Sequence, residues 1–142
     1  MGSYTFLEEI ALADCAFEAE GRDLNDLFET AAGALAELMV DPATVETSVE
    51  RRIALSAEGV DLLFYDWLSE LIYRKDRDRE VFPQARVRVS GDGPFRLEAD
   101  VQGGVIDRAR TALRADPKAV TFHRFEVTAV DGGWRARLVI DI

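Results

Sequence analysis

Cysteine and histidine are almost missing from this chain: its 142 residues hold one of each, Cys15 and His123. A single cysteine excludes an internal disulfide and suits a reducing cytoplasm, the expected compartment. The same scarcity leaves few ways to pair a nucleophile with a base. Catalytic spacings are missing too. There is no Gly-rich loop ending in Lys-Ser or Lys-Thr for nucleotide phosphates, no Cys-x-x-Cys and no Gly-x-Ser-x-Gly. The glycine pairs at 103–104 and 132–133 are expected as turns. On residues alone, the expectation is a non-enzyme. Long apolar runs are also lacking, and none approaches the roughly 18 residues that span a bilayer. No signal peptide precedes Tyr4, and Phe6 stands where a myristoylation site wants a hydroxyl residue. A membrane partner is therefore not expected. With no repeat, low-complexity segment or Pro/Ser-rich linker, residues 1–142 are predicted to form a single domain.

Positive charge is the next shortage. Seventeen Lys and Arg face 27 Asp and Glu, giving a net charge of −10. Affinity for nucleic acid comes largely from cations that displace counterions from phosphates. Direct RNA binding is therefore not expected, unless the basic residues cluster. Their densest run, Arg74-Lys75-Asp76-Arg77-Asp78-Arg79, is interleaved with acids and reads as a solvated helix end. A basic protein partner suits this chain better, because complementary charge steers encounter.

What is present is clean periodicity. Residues 4–8 and 12–20 read as short strands, the second with Ala13, Cys15, Phe17 and Ala19 on one face and Asp14, Glu18 and Glu20 on the other. Asp23 is a plausible N-cap for a helix whose stripe is Leu24, Leu27, Phe28, Ala31, Leu35, Leu38 and Met39, closed by Asp41-Pro42. Val45–Ala57 alternates as a strand. A second helix from about Asp61 turns Leu63, Trp67, Leu68, Leu71 and Ile72 inward. Strands at 84–90 and 95–102 flank Gly91-Asp92-Gly93-Pro94, a hairpin composition. Residues 103–117 give no clear pattern. Ala119–Val130 and Trp134–Ile142 form a last hairpin through Asp131-Gly132-Gly133. The fold class that follows is α+β, with two amphipathic helices packed on mostly antiparallel β-sheet.

Few residues are left to carry chemistry. The final strand stops at Asp141-Ile142, leaving an acid and a carboxylate at the edge of the expected core. Asp14 and Asp141, joined by the main-chain oxygen or terminal carboxylate of Ile142, supply hard oxygens suited to Ca²⁺ or Mg²⁺. Their spacing does not say whether they meet; as strand-edge acids they are otherwise unremarkable solvated charges. If they do meet, repulsion would raise one pKa or recruit a cation. Lys118 and His123 lie five apart, so in regular β-structure they face opposite sides and form no dyad. Lys118 can also be read as an ordinary surface ammonium, and His123 as a packed histidine satisfied by backbone. Cys15 reads as a small core residue, Trp67 and Trp134 as core anchors, and Asp66 and Glu70 as a helix's polar face.

Four segments, in order, resemble the archease family. They are Tyr4-Thr-Phe-Leu-Glu8 leading to Ala13-Asp14-Cys15-Ala16-Phe17; Leu27-Phe28-Glu-Thr-Ala-Ala32 running to Met39; Leu62-Leu-Phe-Tyr-Asp-Trp-Leu-Ser-Glu-Leu-Ile-Tyr73; and Lys118-Ala-Val-Thr-Phe-His123 followed by the last hairpin. The resemblance implies an archease-like domain in which Asp14, Asp141 and Ile142 hold a divalent cation, expected as calcium. It implies functional importance for Lys118 and His123. It also implies a partner, an RtcB-type RNA-splicing ligase, whose guanylylation with GTP and repeated turnover the chain would promote in tRNA splicing and RNA repair. One departure stands out. Where the family has Phe-Leu-x-His-Thr-Ala-Asp, this chain reads Phe6-Leu-Glu-Glu-Ile-Ala-Leu-Ala-Asp14. The His-Thr pair is lost and about two residues are gained, which makes Glu8 and Glu9 candidate substitute oxygen donors. Two other classes stay open: a general protein-interaction or chaperone-like module with a structural metal, and a small metal-dependent hydrolase working alone.

Overall fold

The computed structural model of the chain describes residues 2–7 and 14–142. The strand ends expected at residues 8 and 12–13, the facing of Ala13, and Glu8 and Glu9 as oxygen donors all lie outside the described residues. Strand β1 (Ser3–Leu7) pairs with β2 (Asp14–Gly21), which is followed by helix α1 (Leu24–Met39). A short 3₁₀ turn at Pro42–Thr44 leads to β3 (Val49–Ala57) and helix α2 (Val60–Asp78). Strands β4 (Glu80–Gly91), β5 (Phe95–Val105), β6 (Ala119–Val130) and β7 (Gly133–Asp141) complete the order. They form two antiparallel sheets, β1-β2-β7-β6 and β3-β5-β4. The α+β class and the two helices on antiparallel sheet stand as expected.

Local chemistry explains the helix boundaries. The Asp23 carboxylate accepts the Asp26 amide at 2.8 Å, filling one of the donors a helix start leaves unpaired. At the other end, α2 stops where Arg79 turns left-handed (φ 59) and donates its amide to the Lys75 carbonyl at 2.9 Å. The expected α1 stripe is buried, with Leu24 and Leu38 only half-buried. Ala32, Ala34 and Ala36 are buried as well, because α1 packs on β2 of one sheet and β4 of the other. Two polar side chains of α1 also serve β4, an edge strand. Glu29 accepts the Val87 amide at 2.8 Å and Asn25 the Val89 amide at 2.7 Å, so donors of an exposed edge are covered.

One continuous core joins both sheets and both helices. At its centre Trp67 is fully buried, and its indole donates to the Phe28 carbonyl at 2.9 Å. Phe28 and Phe64 meet edge to face, ring centroids 5.1 Å apart. Trp134, expected as a second anchor, is half-buried against this core.

Three local expectations change. Strand β3 begins at Val49 and not Val45, because Asp41 caps the 3₁₀ turn through the Ala43 amide at 3.1 Å. Strand β4 begins four residues earlier than expected and runs through Pro83, which sits at a register shift between Val81 and Gln84, where a missing amide costs no ladder bond. Gly103 and Gly104 are not turns but buried positions of β5. A Cβ on Gly103 would come within 1.8 Å of the Val81 carbonyl oxygen, so two backbones approach there as only glycine allows.

Chemical denaturation should find Trp67→Ala less stable by about 3–5 kcal/mol, and Gly103→Ala destabilised as well despite adding only a methyl group. A second expectation concerns alkali. The Tyr4 hydroxyl donates to the Glu37 carboxylate, pinning β1 to α1. Burial, then this bond and the Glu37 charge, pushes the phenol up to about 12 from 10.0. The folded state thus favours the neutral phenol. Its contribution is whole below the unfolded value and fades as pH rises toward the folded one. Stability measured between those pH values should fall in the wild type, and less steeply in Tyr4→Phe.

Candidate functional site

The sheet β1-β2-β7-β6 brings the two ends of the sequence side by side. Strands β2 and β7 run antiparallel in a register that pairs Asp14 with Asp141, Cys15 with Ile140, and so on to Gly21 with Trp134. Directly opposed residues of an antiparallel pair point to the same face, with Cβ atoms about 4.5–5.5 Å apart. Asp14 and Asp141 are therefore cross-strand neighbours, both half-buried. Ile142 follows with its side chain packed on the core, which fixes the end of β7.

The rest of this face gives the pair its meaning. Moving along the ladder from Asp14, Glu18 opposes Arg137 and Glu20 opposes Arg135. The Arg137 guanidinium donates to the Glu18 carboxylate, and this partner raises its already high pKa. Arg135 also lies 3.6 Å from Glu126 of β6. Acid meets base at two registers, but at the end of the ladder acid meets acid. Like charges placed directly opposite destabilise a strand pair.

The neighbouring strand completes the arrangement. Ala119, first residue of β6, is paired with Asp141. The Lys118 amide donates to the Asp141 carbonyl at 2.7 Å. Lys118 itself is exposed. The segment leading to it is held from an unexpected quarter. Lys75, in the run expected to be a solvated helix end, is only 8% exposed. Its ammonium donates to the Pro117 carbonyl at 2.6 Å and to the Asp116 carboxylate, and lies 2.8 Å from Asp76. A buried lysine thus anchors the residues just before Lys118. The only signal in the sequence was its fit to the buried stripe, four residues after Leu71, and the surrounding charges mask it.

His123 is placed differently from either expectation. Four residues of β6, 122–125, stand opposite the single residue Leu138, between the pairs Thr121–Val139 and Glu126–Arg137. Arg124 takes a left-handed backbone (φ 53) within this bulge. Strand alternation therefore does not apply between Lys118 and His123. His123 is exposed and not packed, its amide donating to the Thr121 hydroxyl at 3.3 Å. Beside it Phe122, 61% exposed, stacks on Tyr65 of α2 with centroids 4.4 Å apart. Cys15 is half-buried on the opposite side of β2 from Asp14, and burial pushes its thiol up, away from nucleophilic character.

The donors at the Asp14–Asp141 end suit a hard divalent cation in kind: two carboxylates plus the main chain of Ile142. They are few for an ion that takes six to eight oxygens. Among the described residues no group of three or more His, Cys, Asp or Glu side chains gathers as a metal site. The remaining oxygens would have to come from outside this set of described residues. No helix among the described residues is long and apolar enough to cross a membrane.

Comparison with known proteins agrees over nearly the whole chain. The family model described as the archease protein family (MTH1598/TM1083) matches residues 4–142. Protein archease of Methanothermobacter thermautotrophicus is 37% identical over 131 residues, which is 92% of this chain and 93% of that protein. Protein archease of Archaeoglobus fulgidus is 34% identical over 142 residues, 98% of both chains. The solution structure of Methanobacterium thermoautotrophicum protein 1598 superposes with a TM-score of 0.80 at 34% identity, covering 98% of each chain.

Replacing the anchor should loosen this end alone. In Lys75→Met, hydrogen exchange at the Lys118 amide should quicken markedly, while the Val87 amide, held by Glu29, keeps its protection. Equal protection of Lys118 in both proteins would show that Lys75 does not hold the segment.

Proposed function

This chain belongs to the archease family, and from that premise we propose that it is an accessory protein of an RtcB-type RNA-splicing ligase. In this reading it promotes guanylylation of the ligase with GTP and its repeated turnover, in tRNA splicing and RNA repair in the cytoplasm, and does not itself join RNA. The observation that supports it most is the reversal of charge logic on the outer face of β2 and β7. On this face the buried pair Ala16–Val139 is followed by two registers that match acid to base, so an acid pair at the end of the ladder is a cost to folding. A surface retains such a cost where it serves binding.

Asp14, Asp141 and the main-chain oxygen of Ile142 would hold the divalent cation, expected as calcium. When bound, that ion would offset the repulsion and leave oxygen-seeking positions open. The chain's own residues do the rest. The strand pairing sets the two residues side by side on one sheet, so little backbone ordering would be added on docking. A ligase mouth that holds RNA and GTP phosphates must be electropositive, and an acidic edge is steered toward it. Lys118, beside that edge, would offer a cation to a triphosphate, and exposed His123 would contact the partner. A non-catalytic role suits the inventory: the thiol of Cys15 is turned from the acids and raised in pKa by burial, away from nucleophilic character.

A second reading, a general interaction or chaperone-like module, would draw on exposed Phe122 stacked over Tyr65. One assay separates the two. With ligase and GTP, wild-type chain should accelerate labelling of the ligase by the guanylyl group, and Asp14→Ala or Asp141→Ala should abolish that acceleration. Variants as active as wild type sink the reading. Binding to many unrelated unfolded chains, independent of Asp141, would favour the alternative.

A further inference from the structure

We propose that the cleft at the C-terminal end of α2 binds a small polyphosphate anion, of which a nucleotide is the best-fitting kind. A cavity of about 520 Å³ opens there between α2 and the segment 106–116. A second, of about 440 Å³, adjoins it and shares Arg79, Ile106 and Arg108. These volumes are in the range that takes small molecules. In a chain of net charge −10, the larger cleft gathers five cationic side chains, Lys75, Arg77, Arg79, Arg108 and Arg114, against two carboxylates, Asp76 and Asp116. Both carboxylates are already engaged by Lys75, and Arg77 is paired with Asp78.

That leaves Arg79, Arg108 and Arg114 with no carboxylate within 4.0 Å among the described residues, Arg114 keeping one arm on the Glu37 carbonyl at 2.9 Å. Cations at a helix C-terminus ordinarily offset the helix dipole. That accounts for Lys75 and Arg77, which end α2, but not for Arg108 and Arg114, which come from a different segment. Backbone bonds bring that segment in: the Arg114 amide to the Met39 carbonyl at 2.9 Å and the Ala115 amide to the Leu38 carbonyl at 3.0 Å. Arg79 is fixed in a left-handed turn, its carbonyl accepting the Ile106 amide at 2.7 Å. Three arginines from two stretches of chain, Arg79 at the end of α2 and Arg108 and Arg114 of the segment 106–116, thus line one opening.

Guanidinium forks match phosphate oxygens two at a time, and several guanidiniums without a carboxylate counter-charge call for a compact multiple charge. Met39, Ile106 and Leu113, the last 56% exposed, give the cleft an apolar wall on which an uncharged portion could rest. A long polyanion is disfavoured by the net charge of −10 carried by the chain as a whole. The proposal does not rest on the ligase reading and uses none of its residues.

Calorimetric titration of the full chain in EDTA, so that no cation bridges phosphate to Asp14 and Asp141, tests it. The probes are GTP, ATP, inorganic tripolyphosphate, unphosphorylated guanosine and a 5′-phosphorylated RNA dodecamer. The nucleotides and tripolyphosphate should bind and guanosine should not. Tighter nucleotides identify a nucleotide as the source, and tighter tripolyphosphate an inorganic polyphosphate. Arg108→Ala and Arg79→Gly, the latter keeping the left-handed turn open, should each weaken binding about tenfold. Arg108→Lys, which keeps the charge but not the fork, should fall between and guards against an Arg108→Ala that fails to fold. Asp141→Asn should bind as wild type does. The proposal is overturned by no phosphate binding, by binding undiminished in the arginine variants, or by binding of the dodecamer alone.

Discussion

The pairing of β2 with β7 is the constraint on which the rest depends. It is the only reason residues 14 and 141, separated by almost the whole chain, are neighbours. It also seats Phe17, Ala19, Leu138 and Ile140 on the core side of the same ladder. The register is strongly specified, because a slip of one residue would turn these apolar side chains to solvent and the charged ones inward. The core therefore positions the acid pair, and the repulsion of two carboxylates is small beside the apolar burial that enforces their register. An acid pair built this way needs no ion in order to form.

A second layer of control comes from the segment between β5 and β6. It has little regular structure, yet its backbone is tied to the end of α1 through Met39 and Leu38, to Arg79 at the end of α2, and to buried Lys75. These ties fix where β6 begins, and hence where Lys118 stands relative to Asp141. A buried lysine bonded to a main-chain carbonyl and to carboxylates keeps its charge compensated. The same ties draw Arg108 and Arg114 toward Arg79. One stretch thus shapes two surfaces of opposite charge, an acidic sheet end and a basic cleft.

Much of the fold was legible in the sequence because burial there follows simple periods. The stripes of α1 and α2, the Asp23 cap and the two glycine-containing hairpins all follow from local pattern. Where reading failed, the cause was tertiary. Gly103 and Gly104 look like a turn, since nothing local reveals that the Val81 and Glu46 carbonyls press against them. Phe122-His123-Arg124-Phe125 reads as uninterrupted strand, and only pairing with β7 exposes the bulge that releases His123 to solvent. Lys75 hides among solvated charges. The meeting of Asp14 and Asp141 was not legible from spacing at all, and came to the sequence reading through the family resemblance alone.

If the acid pair is one binding unit, its two carboxylates must respond together. The direct measurement is carbon NMR of the Asp14 and Asp141 side-chain carboxyl groups during addition of calcium chloride, with no ligase present. The account predicts that both signals shift along a single saturating curve, and that Asp141→Asn removes the response at Asp14. Signals that stay in place, or that follow separate curves, would contradict it.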